Sequence, residues 1–402
     1  MLSIAELVRA RAGMEGIVHT TPIDYSKTFS QISNNDVYIK LENLQKTGSF
    51  KVRGSFNKLM SIPKEKLQRG IIAASAGNHA QGVAYSSSIL HVPCTIVMPK
   101  GASLSKIQAT RQYGADVILH GDSVDEALSY AKELQKQTGY VFIHPFDDEA
   151  VIAGQGTLGL ELMQQIPDID AVFCPVGGGG LIAGVALAVK ELNPSIQVFG
   201  VQTMACPSMK QSLLANKVVS VKMSPTMADG IAVKRPGDIT FELIRRYVDD
   251  IVCVDEMEIA RSMLLLMERN KLLVEGAGAS SLAALLYHKT SLTEKKVVAI
   301  LSGGNVDINF VSRIIEYGMA EAGRFVQFST MIRDKPGELE KILQVIAAME
   351  GNVLEVTHQR IGRHVLPGYA ELQISLETND KKHIKKIMGQ LEKEGLATKF
   401  IQ

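Results

Sequence analysis

The chain predicts an α/β protein with largely parallel sheets, followed by a smaller domain of β-α-β-β-α-β order. Three observations predict it. Short β-branched runs alternate with helical patterns through most of the chain, and most of these runs are continuously apolar, as in strands covered by helices on both faces. Glycine-rich turns stand where strands end and helices begin, and the pattern changes at Ala322-Gly323-Arg324. At 402 residues the chain is long enough for two or three domains.

The N-terminal stretch from Met1 to Gly16 is amphipathic and has no secretory apolar core. Strands are expected at Val37–Leu41, Ile71–Ala74, Cys94–Met98, Asp116–Leu119, Ala171–Pro175, Gln197–Val201, Ile251–Val254 and Val297–Leu301. Helical patterns such as Gln81–Leu90 and Leu181–Leu192 separate them. Two sets of strands, before and after about Pro145, suggest two lobes with a cleft between them, and ligands collect at the carboxyl ends of such strands. The expected organisation is a domain over residues 1–322, with a smaller lobe of about 48–145 inserted in a larger one, and a second domain over 325–402.

In that second domain the expected order is strand Phe325–Ile332, helix Glu338–Met349, strands Asn352–Gln359 and Tyr369–Leu376, helix Lys381–Glu394 and strand Ala397–Ile401. This is a ferredoxin-like unit. Gly351-Asn352 is expected to end the first helix in a positive-φ cap. No cluster of catalytic character lies in this segment, so it reads as a sensing or dimerising module.

Hydrophobic residues at 46% and charged residues at 21% are ordinary for a globular protein with a sizeable core. A formal charge of +1, from 43 basic and 42 acidic residues, gives no electrostatic reason for a nucleic-acid or anionic-membrane partner. Cys94, Cys174, Cys206 and Cys253 show no CxxC spacing, so buried free thiols are expected rather than a metal site or a redox pair. No apolar run reaches the ~20 residues of a membrane span, and a cytoplasmic protein is expected.

Four segments carry the chemistry. Lys51 lies in Ser49-Phe50-Lys51, among small residues and just before an apolar helical stretch; alone it is a solvated cation. A catalytic lysine needs burial or a cofactor, because a free one has a pKa near ~10.4. Ser75-Ala76-Gly77-Asn78-His79 stands at a strand-to-helix turn, where Asn78 reads equally as a helix cap and His79 as a helix-start residue bonded to backbone. Gly177, Gly178, Gly179 and Gly180, before Leu181, form a nest of N–H donors suited to one phosphate, against the alternative of close helix–sheet packing. Their spacing is not that of a dinucleotide fingerprint. Ser302 ends a strand, as a turn serine or as a neutral partner for a ring nitrogen. A lysine, an anion loop and two polar turns are the parts that hold pyridoxal 5'-phosphate.

Together these segments resemble the pyridoxal-phosphate threonine dehydratase (threonine ammonia-lyase) family, within the tryptophan-synthase-β-like group. The resemblance rests also on Thr20-Thr21-Pro22, Lys40-Leu41-Glu42-Asn43-Leu44-Gln45, Gly154-Gln155-Gly156-Thr157, Asp229-Gly230-Ile231-Ala232, Glu275-Gly276-Ala277-Gly278-Ala279 and Ser302-Gly303-Gly304-Asn305, and spans essentially the whole chain. It implies a two-lobed fold in which Lys51 is the imine-forming lysine and the base for the substrate α-proton. It implies that Phe50, Asn78, Gly177 to Leu181 and Ser302 bind the cofactor. Ser75, Ala76, Gly77 and His79 would meet the substrate. The implied reaction takes L-threonine to 2-oxobutanoate and ammonia, and L-serine to pyruvate. The tail is similar to an ACT-type regulatory domain, implying a small-molecule effector and a homodimer or homotetramer; isoleucine, valine and a nucleotide are all open as the effector, with a branched-chain amino acid favoured.

Two departures narrow the choice. Serine racemases carry a second serine where this chain has Ala76, and carboxylates for a divalent ion where it has Gln202, Cys206 and Ser208. Racemisation and a bound metal are therefore disfavoured. The rivals are serine dehydration, racemisation or β-replacement, and a binding protein that has lost the chemistry.

Overall fold

The computed structural model describes residues 2–362 and 364–401 and divides into two compact units, Met1–Ile308 and Asn309–Gln402. The first unit holds ten strands: β1 (Ile23–Tyr25), β2 (Asp36–Lys40), β3 (Ile71–Ala74), β4 (Cys94–Met98), β5 (Asp116–Leu119), β6 (Val141–Phe142), β7 (Ala171–Pro175), β8 (Gln197–Thr203), β9 (Asp250–Val254) and β10 (Lys296–Ile300). They form a six-stranded sheet of order β1-β2-β10-β7-β8-β9 and a four-stranded sheet of order β5-β4-β3-β6. Every pair is parallel except β1 with β2, which are joined through the helix Lys27–Ser33 and run antiparallel.

The smaller sheet is inserted between β2 and β7, so the chain leaves the larger sheet after Lys40 and rejoins it at Ala171. β3 and β7 are buried along their whole length because helices cover both faces. β5, at the sheet edge, is not. Two short strands, β1 and β6, lie outside the sequence expectation, since three and two residues show no period.

The helix Lys51–Met60 crosses between the two sheets, and its placement is fixed by buried charge. Arg53 donates to Glu42 through Nε and Nη2, both at 2.8 Å, and to Glu161 through Nη1 at 2.6 Å and Nη2 at 3.0 Å. Lys40 donates to Glu161 at 2.9 Å, to the Thr21 carbonyl at 2.8 Å and to Gln165 at 2.9 Å, which uses all three of its protons. All four ionised residues are excluded from solvent. Burial works against the Glu42 charge, but the Arg53 guanidinium overrides it and holds the carboxyl below its ordinary value.

Glycines then let helices close on this element. A Cβ on Gly82, in the helix Asn78–Leu90, would stand 3.0 Å from the Lys51 carbonyl carbon. A Cβ on Gly154, in the helix Glu149–Gln165, would stand 2.6 Å from the Gly54 Cα.

The second unit is an antiparallel sheet of order β12-β13-β11-β14, made of β11 (Phe325–Arg333), β12 (Asn352–Gln359), β13 (Tyr369–Glu377) and β14 (Thr398–Phe400). The helices Glu338–Ala348 and Lys381–Lys393 pack on one face through Ile342, Ile346, Ile387 and Leu391. This is the expected β-α-β-β-α-β order. The expected cap is corrected: Glu350, not Gly351 or Asn352, takes the positive φ, at 63°. Gly351 serves packing instead, because a Cβ there would stand 2.9 Å from Ile346 and 3.1 Å from Ile387.

Replacing Arg53 with Met leaves the buried Glu42 carboxylate without its cation and Glu161 with Lys40 alone, and should destabilise the protein by about 3–5 kcal/mol. Arg53→Lys keeps the charge without the fork and should lose less. Urea unfolding of the three proteins measures both. Since the Glu42 carboxyl is held down, its contribution is present at neutral pH and fades as pH falls below about 4, the unfolded-state carboxylate range. Equal midpoints for wild type and Arg53→Met would overturn the account.

Candidate active site

The sequence-predicted residues converge at the carboxyl ends of the two parallel sheets. Lys51 is the first residue of its helix and is partly buried. Its Nζ donates to the Pro145 carbonyl at 2.9 Å and lies 5.2 Å from the Phe50 ring centroid. Burial pushes the amine down to about 8, against the opposing pull of Glu275. Phe50 in turn donates its N–H to the Ser302 carbonyl at 3.1 Å, and Ser49 bridges Gly303. Lys51 and Ser302, distant in sequence, are thus held together by backbone.

Ser75 to Gly77 form the turn after β3, and the helix begins at Asn78 with Gly77 at its N-cap. The Ser75 hydroxyl accepts from the Gly77 N–H at 3.2 Å. Gly77 faces open space: a Cβ there would meet nothing within 4 Å. Ala76, partly buried, presents a methyl group and no titratable proton. Asn78 is not a cap. Its Nδ2 donates to Glu275 at 2.7 Å, and its Oδ1 accepts from Asn305 at 2.7 Å. His79 is buried with Nε2 3.0 Å from the Ile143 carbonyl, which can only accept, so Nε2 carries the proton. Burial and the nearby Lys51 charge push the ring down to about 3, and it is neutral.

Gly177 to Gly180 lead into the helix Gly180–Leu192 after β7. Three forces shape this loop. The Phe146 ring lies where a Gly178 side chain would be, and its backbone stands 3.0 Å from any Cβ on Gly180. Gly179 takes φ 99°, in the left-handed region, against Thr240. Thr240 Oγ1 donates to the Gly178 carbonyl at 2.6 Å and turns the loop carbonyl away. The N–H groups of Gly180 and Leu181 are free because a helix leaves its first donors unpaired. Among the described residues no partner is recorded for those of Gly177, Gly178 and Gly179. An array of unpaired N–H donors on a helix N-terminus, beside a lysine, fits a cofactor that carries a phosphate and an electrophilic carbon. Packing and phosphate binding are compatible here: the side-chain faces of the glycines are filled and the N–H groups are left over.

Three contributors had no role assigned from the sequence, although Glu275 and Asn305 lie in motifs that carry the resemblance. Glu275, buried beside Asn78, is raised to about 7 by burial first and by Asp229 second. Its signal was an acidic residue opening the all-buried small-residue helix Gly276–Leu286. His144-Pro145-Phe146-Asp147 supplies the Lys51 acceptor, the wall of the glycine loop, and an Asp147 carboxylate that accepts the N–H groups of Asp238, Ile239 and Thr240. Asn305 ties Asn78 to the Thr47 carbonyl. Gln202 and Ser208 are engaged structurally, with Gln202 accepting from Lys210 N–H and Ser208 donating to the Val233 carbonyl.

Comparison with known proteins agrees with this geometry. The pyridoxal-phosphate dependent enzyme family matches residues 14–303, and the ACT domain matches residues 325–394. The chain is 47% identical over 401 residues to an L-threonine ammonia-lyase of Thermotoga maritima, covering 100% of both. It is similar in structure to the processed form of threonine deaminase isoform 2 from Solanum lycopersicum, with a TM-score of 0.76 and 37% identity over 79% of this chain and 88% of that one. Maize serine racemase gives a TM-score of 0.75 and 35% identity, over 80% of this chain and 98% of that one. The chain belongs to the pyridoxal-phosphate dependent enzyme family and carries an ACT domain behind its catalytic region.

Proposed function

We propose that this protein is an L-threonine ammonia-lyase that converts L-threonine to 2-oxobutanoate and ammonia, and L-serine to pyruvate. The observation that carries the reading is the Lys51 amine, held in a partly buried site between the glycine loop and the Asn78 turn. Lys51 is assigned as the cofactor-bonded lysine and the base at the substrate Cα. Gly177 to Leu181 hold the phosphate by backbone N–H, Phe50 lies beside the lysine, Asn78 meets the ring oxygen and Ser302 the ring nitrogen. When bound, pyridoxal phosphate supplies an electron sink for the pair left on Cα.

The chain's own residues account for the rest. An amine near 8 is in part unprotonated at neutral pH, so Lys51 can accept a proton there. The helix start at Ser75, Ala76, Gly77 and His79 meets the substrate carboxylate, with the N–H groups of Ala76 and His79 as donors and Gly77 leaving the volume for it. Ser302 brings no charge to the ring nitrogen, which favours prompt loss of a β-substituent over a long-lived carbanion. Ala76 offers no acid for the second face, which favours elimination over racemisation. The hydroxyl leaves Cβ as water, and the enamine product hydrolyses to the 2-oxo acid.

The catalytic domain is assigned to residues 1–322, with its small lobe at about 48–145, and the regulatory domain to 325–402. The latter takes a small-molecule effector. A homo-oligomer is supported by β12, an edge strand with Leu354 exposed. A cytoplasmic location is supported by four free thiols, three of them buried.

Lys51→Ala should lower 2-oxobutanoate formation by about 10³-fold or more and remove the visible absorbance of bound cofactor. Retained turnover in that variant would sink the assignment. Gly178→Ala drives a methyl group into the Phe146 ring, an overpacking of about 1–3 kcal/mol. It should weaken cofactor binding about tenfold, the equivalent of about 1.4 kcal/mol, in an absorbance titration. Unchanged cofactor affinity would remove Gly178 from the phosphate loop.

A further inference from the structure

Glu275 brings into the site a carboxyl group that the chemistry above does not use. It stands at the N-cap of the helix Gly276–Leu286, yet its side chain makes no cap hydrogen bond. It is turned inward instead and is 7% exposed, where an unpaired glutamate is rarely found. Oε1 accepts from Asn78 Nδ2 at 2.7 Å. Gly303 faces this contact, and a Cβ there would stand 2.5 Å from Oε1 and 3.1 Å from the Asn78 nitrogen. Only a residue without a side chain leaves room for the pair.

Asn78 is pinned at its other end as well. Asn305 Nδ2 donates to Asn78 Oδ1 at 2.7 Å and to the Thr47 carbonyl at 2.7 Å. An amide with a donor against its oxygen and a carboxyl against its nitrogen has a single orientation. One N–H of Asn78 is engaged by Glu275, and the second is left for the cofactor oxygen. The relay ends at Thr47, whose φ of 62° is strained for a β-branched residue and is held by this contact.

The charged groups facing Glu275 come from several elements. Lys51 faces it from its own helix, Lys106 from the helix Leu104–Gln112, and Asp229 from the turn Asp229–Ile231. Lys106 Nζ lies 3.2 Å from Asp229 and offsets part of its effect on Glu275. His79, in the Asn78 helix, is neutral. Glu275 and Lys51 remain as the opposed ionisable groups of the site.

We propose that Glu275 is a positioning residue whose carboxylate orients Asn78 and supplies the counter-charge for the ammonium formed when Lys51 takes the substrate α-proton. The step is proton transfer alone. The C–H bond breaks, an N–H bond forms on Lys51, the electron pair stays with the substrate carbon, and Glu275 exchanges nothing. The inference rests on Lys51 being that base. In a water-poor site a fixed counter-charge stabilises a developing cation far more than it does in bulk water. It must be ionised to do so. Burial places the Glu275 titration at about 7, so activity rises through that pH as the proton leaves.

The test measures kcat and KM for L-threonine from mildly acidic to alkaline pH on the full-length holoenzyme, with cofactor absorbance recorded on each sample. Glu275→Gln keeps an acceptor for Asn78 and removes the charge. It should retain bound cofactor, lose about 100-fold in kcat and lose the acid limb. Glu275→Asp keeps a charge and should retain the limb, displaced to lower pH by the lower intrinsic value of aspartate. This variant carries the test if the glutamine variant does not fold. A limb that either variant leaves unmoved overturns the proposal, since a purely structural residue would scale the whole profile uniformly. A wild type that neither binds pyridoxal phosphate nor consumes threonine overturns the functional reading and this inference together. An active wild type with an unmoved limb in the variants overturns the inference alone.

Discussion

The pairing of Arg53 with Glu42 and Glu161 is the constraint on which the geometry of the site hangs. Arg53 follows Lys51 by two positions, about 200° around a helix, so the two side chains leave on nearly opposite faces. Anchoring one aims the other. A buried ion network is seldom a source of net stability, because the desolvation penalty offsets most of the attraction. Its effect is on specificity. An apolar contact tolerates a rotation or a slip, whereas a guanidinium fork bonded to two carboxylates on two separate elements accepts one register. Lys40 completes the balance, so that two cations meet two anions and no charge is left over.

The segment from His144 to Asp147 performs the corresponding task on the far side of Lys51. His144 Nδ1 accepts the Asp147 N–H at 2.8 Å and folds the segment back on itself. Within four residues the chain then offers the lysine acceptor, the aromatic wall behind the glycine loop and the cap of the helix Asp238–Tyr247. That helix returns Thr240 to the Gly178 carbonyl. The lysine and the anion loop are therefore positioned by one stretch of backbone, and a displacement of either is transmitted to the other.

Much of this was legible in the sequence, and the limits have physical causes. Strands such as Ile71–Ala74 and Ala171–Pro175 were found to the residue because buried parallel strands are continuously apolar. β1 and β6 are too short for any period to show. Lys51, Asn78, the four glycines and Ser302 stood out because turn chemistry is local. The roles of Arg53 and Glu42 did not, although both lie inside the motifs that carry the resemblance. A charged residue reads by default as solvated, and the carboxylate that completes this buried network, Glu161, lies more than a hundred positions from both. Glu275 was hidden for the same reason, its partner Asn78 lying 197 residues earlier. Asn78 read equally as a helix cap because its position is right for one; the carboxyl that draws its side chain elsewhere has no local signature. At Glu350 the glycine beside it was the stronger local signal for a left-handed cap, and packing against Ile346 and Ile387 claimed that glycine for another purpose.

Burial acts in opposite directions on the two ionisable groups Lys51 and Glu275, because it favours the neutral form of each. It pulls Lys51 down to about 8 and pushes Glu275 up to about 7. Around neutral pH the amine is thus in part unprotonated and the carboxyl in part ionised. If Lys51 is the base, as proposed, a proton that it takes from Cα has two destinations, the same face of the carbon it left or the departing hydroxyl. Delivery to the opposite face needs a second acid, and at the turn that would carry it this chain has the methyl group of Ala76. With return to Cα merely regenerating substrate, the irreversible path left open under the proposed assignment of Lys51 is loss of water.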